Sequence, residues 1–551
     1  MRPRRAIHAL LVAASFAAAA GSFPAEGATR ERFALRRVDV DLPGAPAAIV
    51  PADLDGDGRT DLVVVSVFTE VESIGESRIE DMVQISTVVP ALFDRRELRA
   101  WLADDDGGYR ATPPLPLPTT VHSLEAGPPG WPVVALTDEG VSALRATHSA
   151  AGVVLSLDPV IARRTALAGT RGFIASLRLV RDLDGDGDGD LLLPAATGMV
   201  AAIDPASGGP TRPLAGLEPE SLPDRLMLRY PWPRTARVDG DALPDLVVFD
   251  RDDDWKVERV RVLLGTGRGM FRPLRDPAVD CLDRSALRLA TVSEDRPPWP
   301  SDVYAVRDVD GDGRAELIRR RWIERPGDGL RAGMKEAKRP RQEIAFHRIG
   351  ERGVVAVEPY ASTVIEGHLL DDAGPFAVEP FVDLDGDGRE ELVVVTLRFS
   401  MLQALRVVMT KRISIGVDFH IYRQSDDGAL VEVDGLDLSE KLKLDLDDVK
   451  LHRFAQFAGD FDGDGLRDFT HFGRGSRVTI HRGVPGCRYP DDPDLEIELD
   501  GEPDSLDLIR VKDLDGDGRS DIAVIRPLDG DDPDVTAPTR LELYLSGEGS
   551  R

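Results

Sequence analysis

Hydrophobic and polar residues alternate in short runs along most of this chain, and turns rich in Gly and Asp separate the runs. An apolar run such as Leu508–Val511 precedes a turn, a Val/Leu/Ile-rich run such as Leu392–Val395 follows it, and a third alternating run such as Leu541–Leu545 comes next. A second Gly/Asp turn and a short fourth run complete the set. Alternation with a period of two between turn residues is typical of β-strands. The pattern therefore predicts four-stranded antiparallel units of about 65 residues each.

Such units are expected to pack face to face, because a single four-stranded sheet cannot bury both of its faces. Four strands per unit favour a propeller. Seven units carry an acidic turn, and Trp131–Arg145 fits an eighth unit in the double-length gap after the first. We predict an all-β propeller of eight four-stranded antiparallel blades, or seven if one unit is an insertion. A strand near Phe33–Val40 is expected to join the last blade, since closure of the ring removes exposed strand edges.

Three segments interrupt this pattern and are predicted to be insertions: Val67–Arg96, Arg319–Arg341 and Arg398–Gly416. The last contains four apolar residues with helical spacing, which predicts a short helix. These residues are Leu402, Leu405, Val408 and Met409. The middle insertion is rich in Arg and Lys. Such stretches are usually solvated loops, but on an acidic chain this one is also a candidate contact for an anionic ligand.

A nine-residue acidic pattern forms the turn between the first and second runs of most units. The first copy reads DLDGDGRTD and starts at Asp53, with aspartates at positions 1, 3, 5 and 9. Complete copies also start at Asp182, Asp308, Asp383, Asp460 and Asp513. A weaker copy, RVDGDALPD, starts with arginine at Arg237. An Asp/Gly turn without metal is the simplest interpretation of one copy, but six near-identical copies favour a shared ligand.

The ligand that suits these loops is calcium, which takes six to eight oxygen ligands in irregular geometry. Carboxylates at positions 1, 3 and 5 of a tight loop point inward, the carbonyl of position 7 adds an oxygen, and position 9 closes the site. An EF-hand would need Glu at position 12, where the copies starting at Asp53 and Asp383 have Val64 and Val394.

Clustered carboxylates repel one another without a cation, so we expect about six calcium ions to be coupled to folding. The predicted ligands are Asp53, Asp55, Asp57, Arg59 and Asp61; Asp182, Asp184, Asp186, Asp188 and Asp190; Asp308, Asp310, Asp312, Arg314 and Glu316; Asp383, Asp385, Asp387, Arg389 and Glu391; Asp460, Asp462, Asp464, Leu466 and Asp468; and Asp513, Asp515, Asp517, Arg519 and Asp521. No calcium is expected in the copy at Arg237 or in the unit without a loop.

The loops DLDGDGRTD, DVDGDGRAE, DLDGDGREE, DFDGDGLRD and DLDGDGRSD, each followed by an apolar strand, resemble the FG-GAP or VCBS repeats of integrin α-subunit propellers and exported bacterial proteins. The resemblance covers nearly the whole chain after its first residues. It implies a β-propeller with calcium between the first two strands of a blade, and a role in adhesion or ligand binding. Glu316 and Glu391, which replace the last Asp in two copies, are expected still to coordinate. Because these repeats occur in proteins of different function, the resemblance identifies the scaffold better than the role.

The N-terminal residues fit a secretory signal peptide. Arg2, Arg4 and Arg5 precede the apolar run Ala6–Ala20, and small residues follow. We predict a signal peptide over residues 1–28, a single propeller domain over residues 29–551, and a periplasmic, secreted or cell-surface location. The run is shorter than the roughly 20 apolar residues of a spanning helix, so an integral membrane protein is not expected. In an oxidising compartment the two cysteines, Cys281 and Cys487, could form a disulfide.

The net charge of −29 argues against nucleic acid as a partner, because a polyanion requires basic surfaces. The chain has no GxSxG, phosphate-binding Gly loop or HExxH motif, and no catalytic residue is assigned. Four histidines near predicted strands are a candidate catalytic cluster, although scattered structural histidines are more common. They are His420, His452, His471 and His481.

The leading hypothesis is a monomeric, exported, calcium-binding propeller that binds a protein or a polysaccharide on one end face. One alternative is an exported hydrolase or lyase with its site in the central channel. Another is a structural surface protein that associates with itself.

Overall fold

The computed structural model of the protein describes residues 33–68, 91–92, 95–127, 132–149, 152–170, 172–174, 177–205, 208–214, 217, 232–251, 257–274, 288–289, 302–323, 339–350, 353–369, 380–398, 412–425, 429–434, 438–445, 456–472, 476–501, 503, 508–528 and 538–548. Within these ranges the regular structure is β-strand and no α-helix occurs. None of the described segments is a long apolar helix that could cross a membrane.

Eight antiparallel sheets follow one another along the chain as the blades of a propeller, which confirms the predicted fold class and blade number. Strand β1 (Phe33–Leu42) belongs to the last blade. The first four blades contain β2 (Ala45–Ala52), β3 (Asp61–Phe68), β5 (Arg95–Ala103), β6 (Tyr109–Ala111) and β7 (Leu115–Leu117); β8 (Val121–Ala126), β9 (Val133–Thr137), β10 (Gly140–Ser149) and β11 (Gly152–Ala162); β13 (Val180–Arg181), β14 (Asp190–Ala195), β15 (Gly198–Ala202) and β16 (Thr211–Pro213); and β17 (Arg234–Ala236), β18 (Asp245–Arg251), β19 (Val257–Gly265) and β20 (Phe271–Pro273).

The other four blades follow the same order, and in blade 7 an isolated bridge between Gly459 and Asp468 takes the place of the first strand. Their strands are β22 (Val303–Arg307), β23 (Glu316–Trp322), β24 (Arg341–Arg348) and β26 (Ala361–Glu366); β27 (His368–Leu369), β28 (Phe381–Val382), β29 (Glu391–Arg398), β30 (Arg412–Gln424), β31 (Leu430–Glu432) and β32 (Ser439–Asp445); β33 (Phe469–Phe472), β34 (Arg477–His481) and β35 (Leu495–Glu498); and β36 (Ile509–Lys512), β37 (Asp521–Pro527) and β38 (Thr539–Glu548). Two short pairs lie outside the blades: β4 (Ala91–Leu92) with β12 (Gly172–Phe173), and β21 (Arg288–Leu289) with β25 (Val354–Val355).

Blade 2 is the unit predicted without an acidic loop. Its central strands β9 and β10 lie within the predicted segment Trp131–Arg145 or extend just beyond it. This assignment shows that the double-length gap between the first two acidic loops holds a complete blade, which excludes the seven-blade alternative.

The ring closes through β1, which pairs antiparallel with β38 from Phe33 opposite Glu548 to Leu42 opposite Thr539. This confirms the predicted closure and gives blade 8 its fourth strand. Val40 and Leu42 are buried among apolar residues of blades 8 and 1. The closing strand therefore contributes to the core as well as to the hydrogen-bonded ladder.

The apolar core lies between neighbouring blades. All eight residues of β3 are buried, because this strand has a blade on each side of its sheet. One cluster joins residues of blade 3, such as Leu192, to residues of blade 4, such as Leu246 and Val248. Burial on both faces explains why second strands such as β3 and β29 are continuous runs of Val and Leu rather than alternating ones.

Strands extend into the ranges that the sequence predicted as insertions, so each insertion is shorter than predicted. Arg319–Trp322 continues strand β23, and Arg412–Gly416 opens strand β30, because both stretches pair with neighbouring strands. Val67 and Phe68 likewise end β3. The predicted helical residues Leu402, Leu405, Val408 and Met409, the predicted signal peptide and Cys281 lie outside the described residues.

Each insertion joins the second strand of its blade to the third, whereas each acidic loop joins the first strand to the second. In an antiparallel meander these two connections leave opposite ends of the blade. The described strand ends that flank the insertions of blades 1, 5 and 6 therefore lie at the end of each blade opposite its acidic loop.

Replacing Leu42 by Ala tests the contribution of the closing strand. Leu42 is 2% exposed, so the substitution should lower the free energy of unfolding by about 2–5 kcal/mol through lost burial and a new cavity. Denaturant unfolding followed by circular dichroism measures the change. Val160→Ala, at a side chain that is 43% exposed, is the control and should stay within about 0.5 kcal/mol of the parent. Equal effects of the two substitutions would contradict this role for β1.

Candidate metal centres in the acidic loops

Each acidic loop folds around the carboxylate at its first position. In the first loop, Asp53 accepts hydrogen bonds from the backbone N–H groups of Gly56 at 2.8 Å and Gly58 at 3.0 Å. Both glycines have positive φ values, +79° and +87°, which L side chains rarely adopt. The same pair of bonds recurs in the other five complete loops. The repeated DGDG sequence is therefore a backbone requirement as well as a source of carboxylates.

The carboxylate at position 9 is buried and ties the loop to the third strand of the same blade. Asp61 accepts from the N–H of Leu54 in its own loop and from the N–H of Ala103 at the end of β5, both at 2.9 Å. Four other blades repeat this bridge through Asp190, Asp245, Asp468 and Asp521. Blade 4 is among them although its loop begins with Arg237. The bridge is thus part of the blade itself, independent of a complete acidic loop.

The two loops that end in glutamate replace the third-strand contact with a side chain. Glu316 still accepts from the N–H of Val309 at 3.1 Å, and its other oxygen accepts from Arg348. Glu391 accepts from the N–H of Leu384 at 2.9 Å and is also hydrogen bonded to Cys487. Glutamate has one more methylene than aspartate. Its carboxylate therefore extends beyond the third-strand N–H group to which aspartate is hydrogen bonded in the other blades.

Burial, reinforced by the neighbouring carboxylates of the same loop, raises the pKa of the position 9 carboxyls. The pKa rises to about 6 for Asp190 and to about 7 for Asp468 and Asp521, despite the backbone hydrogen bonds that lower it. A cation beside these groups would relieve the repulsion and favour their ionised forms.

Carboxylate oxygens of several loops lie close enough to share one ion. In each of three groups, one oxygen from every member lies within 4.8 Å of the others. These groups are Asp53, Asp55 and Asp57; Asp182, Asp184 and Asp190; and Asp308, Asp310 and Glu316. In blade 3 the Oδ1 atom of Asp184 is buried and has no hydrogen-bond partner among the described residues. A set of hard oxygen donors with an unsatisfied buried member fits calcium.

Arginines at the end of the third strand already approach three of the loops. Arg348 donates to Asp310, to Glu316 and, at 3.1 Å, to Asp312 in blade 5. Arg482 donates to Asp462 in blade 7. In blade 6, Arg423 Nη2 lies 3.7 Å from Asp385 Oδ2. An ion in blade 5 would have to displace Arg348, so the six loops are not equivalent sites.

These arginines were missed at the sequence level, although a signal for them is present. Around the ends of the third strands of blades 5, 6 and 7 the sequence reads AFHRI, HIYRQ and TIHRG, and the arginine occupies the same place in each. An alignment of third strands as well as loops would have found them.

Successive loops also contact one another around the ring. The N–H at position 8 donates to a carbonyl at position 1 or 2 of the preceding loop in four cases, at 2.6–2.9 Å. The pairs are Ala315 with Arg237, Glu390 with Val309, Arg467 with Leu384 and Ser520 with Asp460. Gly516 lies so close to Thr60 that a Cβ on it would fall 2.2 Å from Thr60 Oγ1, which carries the contact from blade 8 to blade 1. Since blades diverge with distance from the axis, this arrangement places the loops near the central axis.

The histidines on the predicted strands have separate partners. His420 Nδ1 lies 2.7 Å from Glu432, and His471 Nδ1 lies 2.7 Å from Glu440. His481 Nδ1 lies 2.8 Å from the carbonyl oxygen of Pro490. His452 lies outside the described residues. Each of the three described histidines thus contacts a different partner, in its own blade or on a neighbouring strand.

The position 9 bridge can be tested where the loop is incomplete. Asp245→Ala leaves the N–H groups of Val238 and Gly265 without their acceptor and should lower the free energy of unfolding by about 2–5 kcal/mol. The loss should be the same with calcium and with chelator, measured by denaturant unfolding. Asp241→Ala, at an exposed carboxylate of the same loop, is the control and should cost less than about 1 kcal/mol. A loss for Asp245→Ala that disappears in chelator would contradict a purely structural bridge.

No protein-family model matches the chain, and no curated protein matches it. Solved structures do match, among them the crystal structure of the WD40 domain of SCAP from fission yeast. That structure is 9% identical to this chain, covers 94% of this chain and 98% of its own, and superposes with a TM-score of 0.26. The assignment of the propeller therefore stands on the strand topology of the chain.

Proposed function

We propose that this protein is an exported β-propeller that calcium stabilises through its acidic loops and that binds an extracellular ligand on the opposite end face. The observation that carries the proposal is the recurrence of one loop geometry, with its clustered carboxylates, in six of eight blades. A β-propeller is commonly a binding module. The comparisons name no ligand for this chain, so the ligand class is argued from its own residues.

The role of calcium in this proposal is structural. The candidate ligands all come from the loop, and the position 9 carboxylate is also committed to backbone N–H groups. In blade 1, for example, Asp61 is fully buried. Ligands supplied from positions 1, 3, 5, 7 and 9 of one loop would fill the coordination positions of the ion, whereas a catalytic metal requires an open one. Ions bound along a ring of touching loops would instead hold neighbouring blades in register.

The binding face in this proposal is the end opposite the acidic loops, where strand β23 ends. Trp322, at the end of β23, is 66% exposed and directly precedes the basic part of the Arg319–Arg341 segment. An exposed Trp that basic residues follow in the sequence, on a protein with a net charge of −29, suits an anionic ligand. We therefore favour an acidic polysaccharide among the ligands considered, with an acidic protein surface as the other candidate.

Calcium stoichiometry tests the first half of the proposal. The metal-free mature chain should bind about six ions, one in each complete loop. Chelation should lower the melting temperature, because each site occupied at about 100 times its Kd stabilises the fold by about 2.7 kcal/mol. Isothermal titration calorimetry and thermal unfolding with and without chelator measure the two quantities.

Two substitutions at position 3, one in a complete loop and one in the incomplete loop of blade 4, test whether calcium binds only in complete loops. Asp55→Asn should remove about one ion from the count, because it neutralises a carboxylate of a complete loop. Asp239→Asn, at the same position of the loop that begins with Arg237, should leave the count unchanged. A protein that binds no calcium, or that melts at the same temperature after chelation, would refute the calcium half of the proposal.

Polysaccharide binding tests the second half. Binding to immobilised alginate should be detectable at low ionic strength and weaken with added salt, since it depends on exposed charges. The combined substitution Trp322→Ala, Lys335→Glu and Lys338→Glu should weaken it by about tenfold or more. Asp105→Ala, at a 91% exposed carboxylate on the acidic-loop end, is the control and should have no effect. Equal binding by the triple variant would exclude this face for an anionic polysaccharide.

A further inference from the structure

The acidic loop of blade 6 differs from the others because a thiol reaches it from the neighbouring blade. Cys487 lies in a tight turn of blade 7 that is closed by a bridge between Val484 and Arg488. Its side chain is only 1% exposed and is hydrogen bonded to Glu391. No disulfide involves Cys487 in the described part of the chain.

The thiol and two carboxylates of the loop converge on one point. One ligand atom each from Asp385, Glu391 and Cys487 lies within 4.8 Å of the other two. The turn that holds Cys487 also donates the N–H of Gly486 to Asp385 Oδ2 at 3.1 Å. Blade 7 therefore fixes both the thiol and the position 3 carboxylate of blade 6.

A buried acceptor at this point lacks a partner. The side chain of Asp385 is only 6% exposed, and its Oδ1 atom is buried without a hydrogen-bond partner in the described residues. The hydroxyl of Tyr489, two residues beyond Cys487, is also buried and unpartnered by the same criterion. A carboxylate oxygen in this condition costs free energy unless a cation or another donor meets it.

Sulfur alters the choice of ion. Calcium is a hard cation held almost entirely by oxygen, whereas thiolate ligands select softer ions such as zinc. Zinc accepts a mixed set of sulfur and carboxylate ligands at about 2.3 Å and 2.0–2.2 Å, and a tetrahedron of that size brings its ligand atoms within about 4 Å of one another. The three converging atoms, which lie within 4.8 Å of one another, are close to this spacing.

We propose that the blade 6 loop binds a thiophilic divalent cation of the zinc class, with Cys487, Glu391 and Asp385 as its protein ligands. The inference rests on the loop geometry of the proposed function but not on calcium binding at the other loops. In a chain supplied with calcium alone, the blade 6 loop counts among the six calcium sites, and the thiophilic ion replaces calcium there. Because Asp385 and Glu391 belong to blade 6 and Cys487 to blade 7, the ion joins two blades by coordination bonds.

Binding at this site is coupled to release of one proton. A cysteine thiol without a metal is protonated at neutral pH, because its ordinary pKa is about 8.5. When the ion binds, the S–H bond breaks, a metal–sulfur bond forms and the proton passes to the buffer. Neither oxidant nor reductant takes part.

Cadmium alone is a suitable probe, because a cadmium–thiolate bond gives an ultraviolet charge-transfer absorption that carboxylates do not. The full mature chain with Cys281→Ser keeps Cys487 as its single cysteine. Titration with cadmium in excess calcium should produce this absorption and saturate at one equivalent. Excess zinc should remove it by competition, and excess calcium should not.

Three variants separate coordination from general loss of structure. Adding Cys487→Ser should abolish the absorption while thermal unfolding still shows a cooperative transition. Asp385→Asn should weaken cadmium binding by about tenfold or more, since loss of an outer-shell partner of a ligand already costs that much. Asp515→Asn, at the same position of the blade 8 loop, should leave cadmium binding unchanged.

The outcomes distinguish this inference from the calcium proposal. Absence of the absorption in a folded protein, or its persistence after Cys487→Ser, overturns the thiolate site whatever the calcium count. A cadmium–thiolate absorption in a protein that binds no calcium supports the site and refutes only the calcium proposal. An absorption that calcium removes as readily as zinc does would show an oxygen site beside a passive thiol and would also overturn the inference.

Discussion

The buried carboxylate at position 9 is the contact on which each loop-bearing blade depends. It lies where the first loop, the second strand and the end of the third strand meet, and in the five blades where it is an aspartate its two oxygens satisfy backbone donors on both sides. Asp468, for example, holds the N–H of Phe461 in the loop and the N–H of Gly483 beyond β34. Removing such an acceptor leaves two buried donors unpaired, which costs more than the bonds contribute when made. The acidic sequence of these loops is therefore partly explained without any metal.

Metal coordination is an additional use of the same loop. The carboxylate at position 1 accepts the hydrogen bonds that form the turn, and the carboxylate at position 9 links the loop to the rest of the blade. The carboxylates at positions 3 and 5 therefore have oxygens that these bonds do not use. The side chains opposite these positions differ among blades: Arg348 in blade 5, Arg482 in blade 7, and both Arg423 and the Cys487 turn in blade 6. Loops of nearly identical sequence thus have different side chains opposite them, because those side chains come from the third strand or from the next blade.

The sequence predicted those parts of the structure that depend on the local pattern of apolar, polar and turn residues. Strands, blade order and the unit around Trp131–Arg145 follow from alternation and turn residues, and the closing strand follows from the need to cover a sheet edge. The limits of the insertions were too wide, because Arg319–Trp322 is polar on a strand whose pairing continues beyond the core. The contact between Cys487 and Glu391 could not be predicted, since it depends on how one blade is placed against the next. The separate histidine pairs, such as His471 with Glu440, depend on tertiary placement in the same way.

The pairing of β1 with β38 also constrains how this protein reaches its final state. Leu42 and Thr539 are partners although they are about 500 residues apart in sequence, so the last ladder cannot form until synthesis has passed Thr539. Until then β1 is an unpaired strand that can engage another chain, and the propeller is an open arc with two exposed edges. Contacts of such long sequence separation fold slowly, because the entropy of closing the loop is lost before the contacts form. The time between synthesis of the first strand and arrival of the last is thus the interval in which this chain is most prone to domain swapping and aggregation.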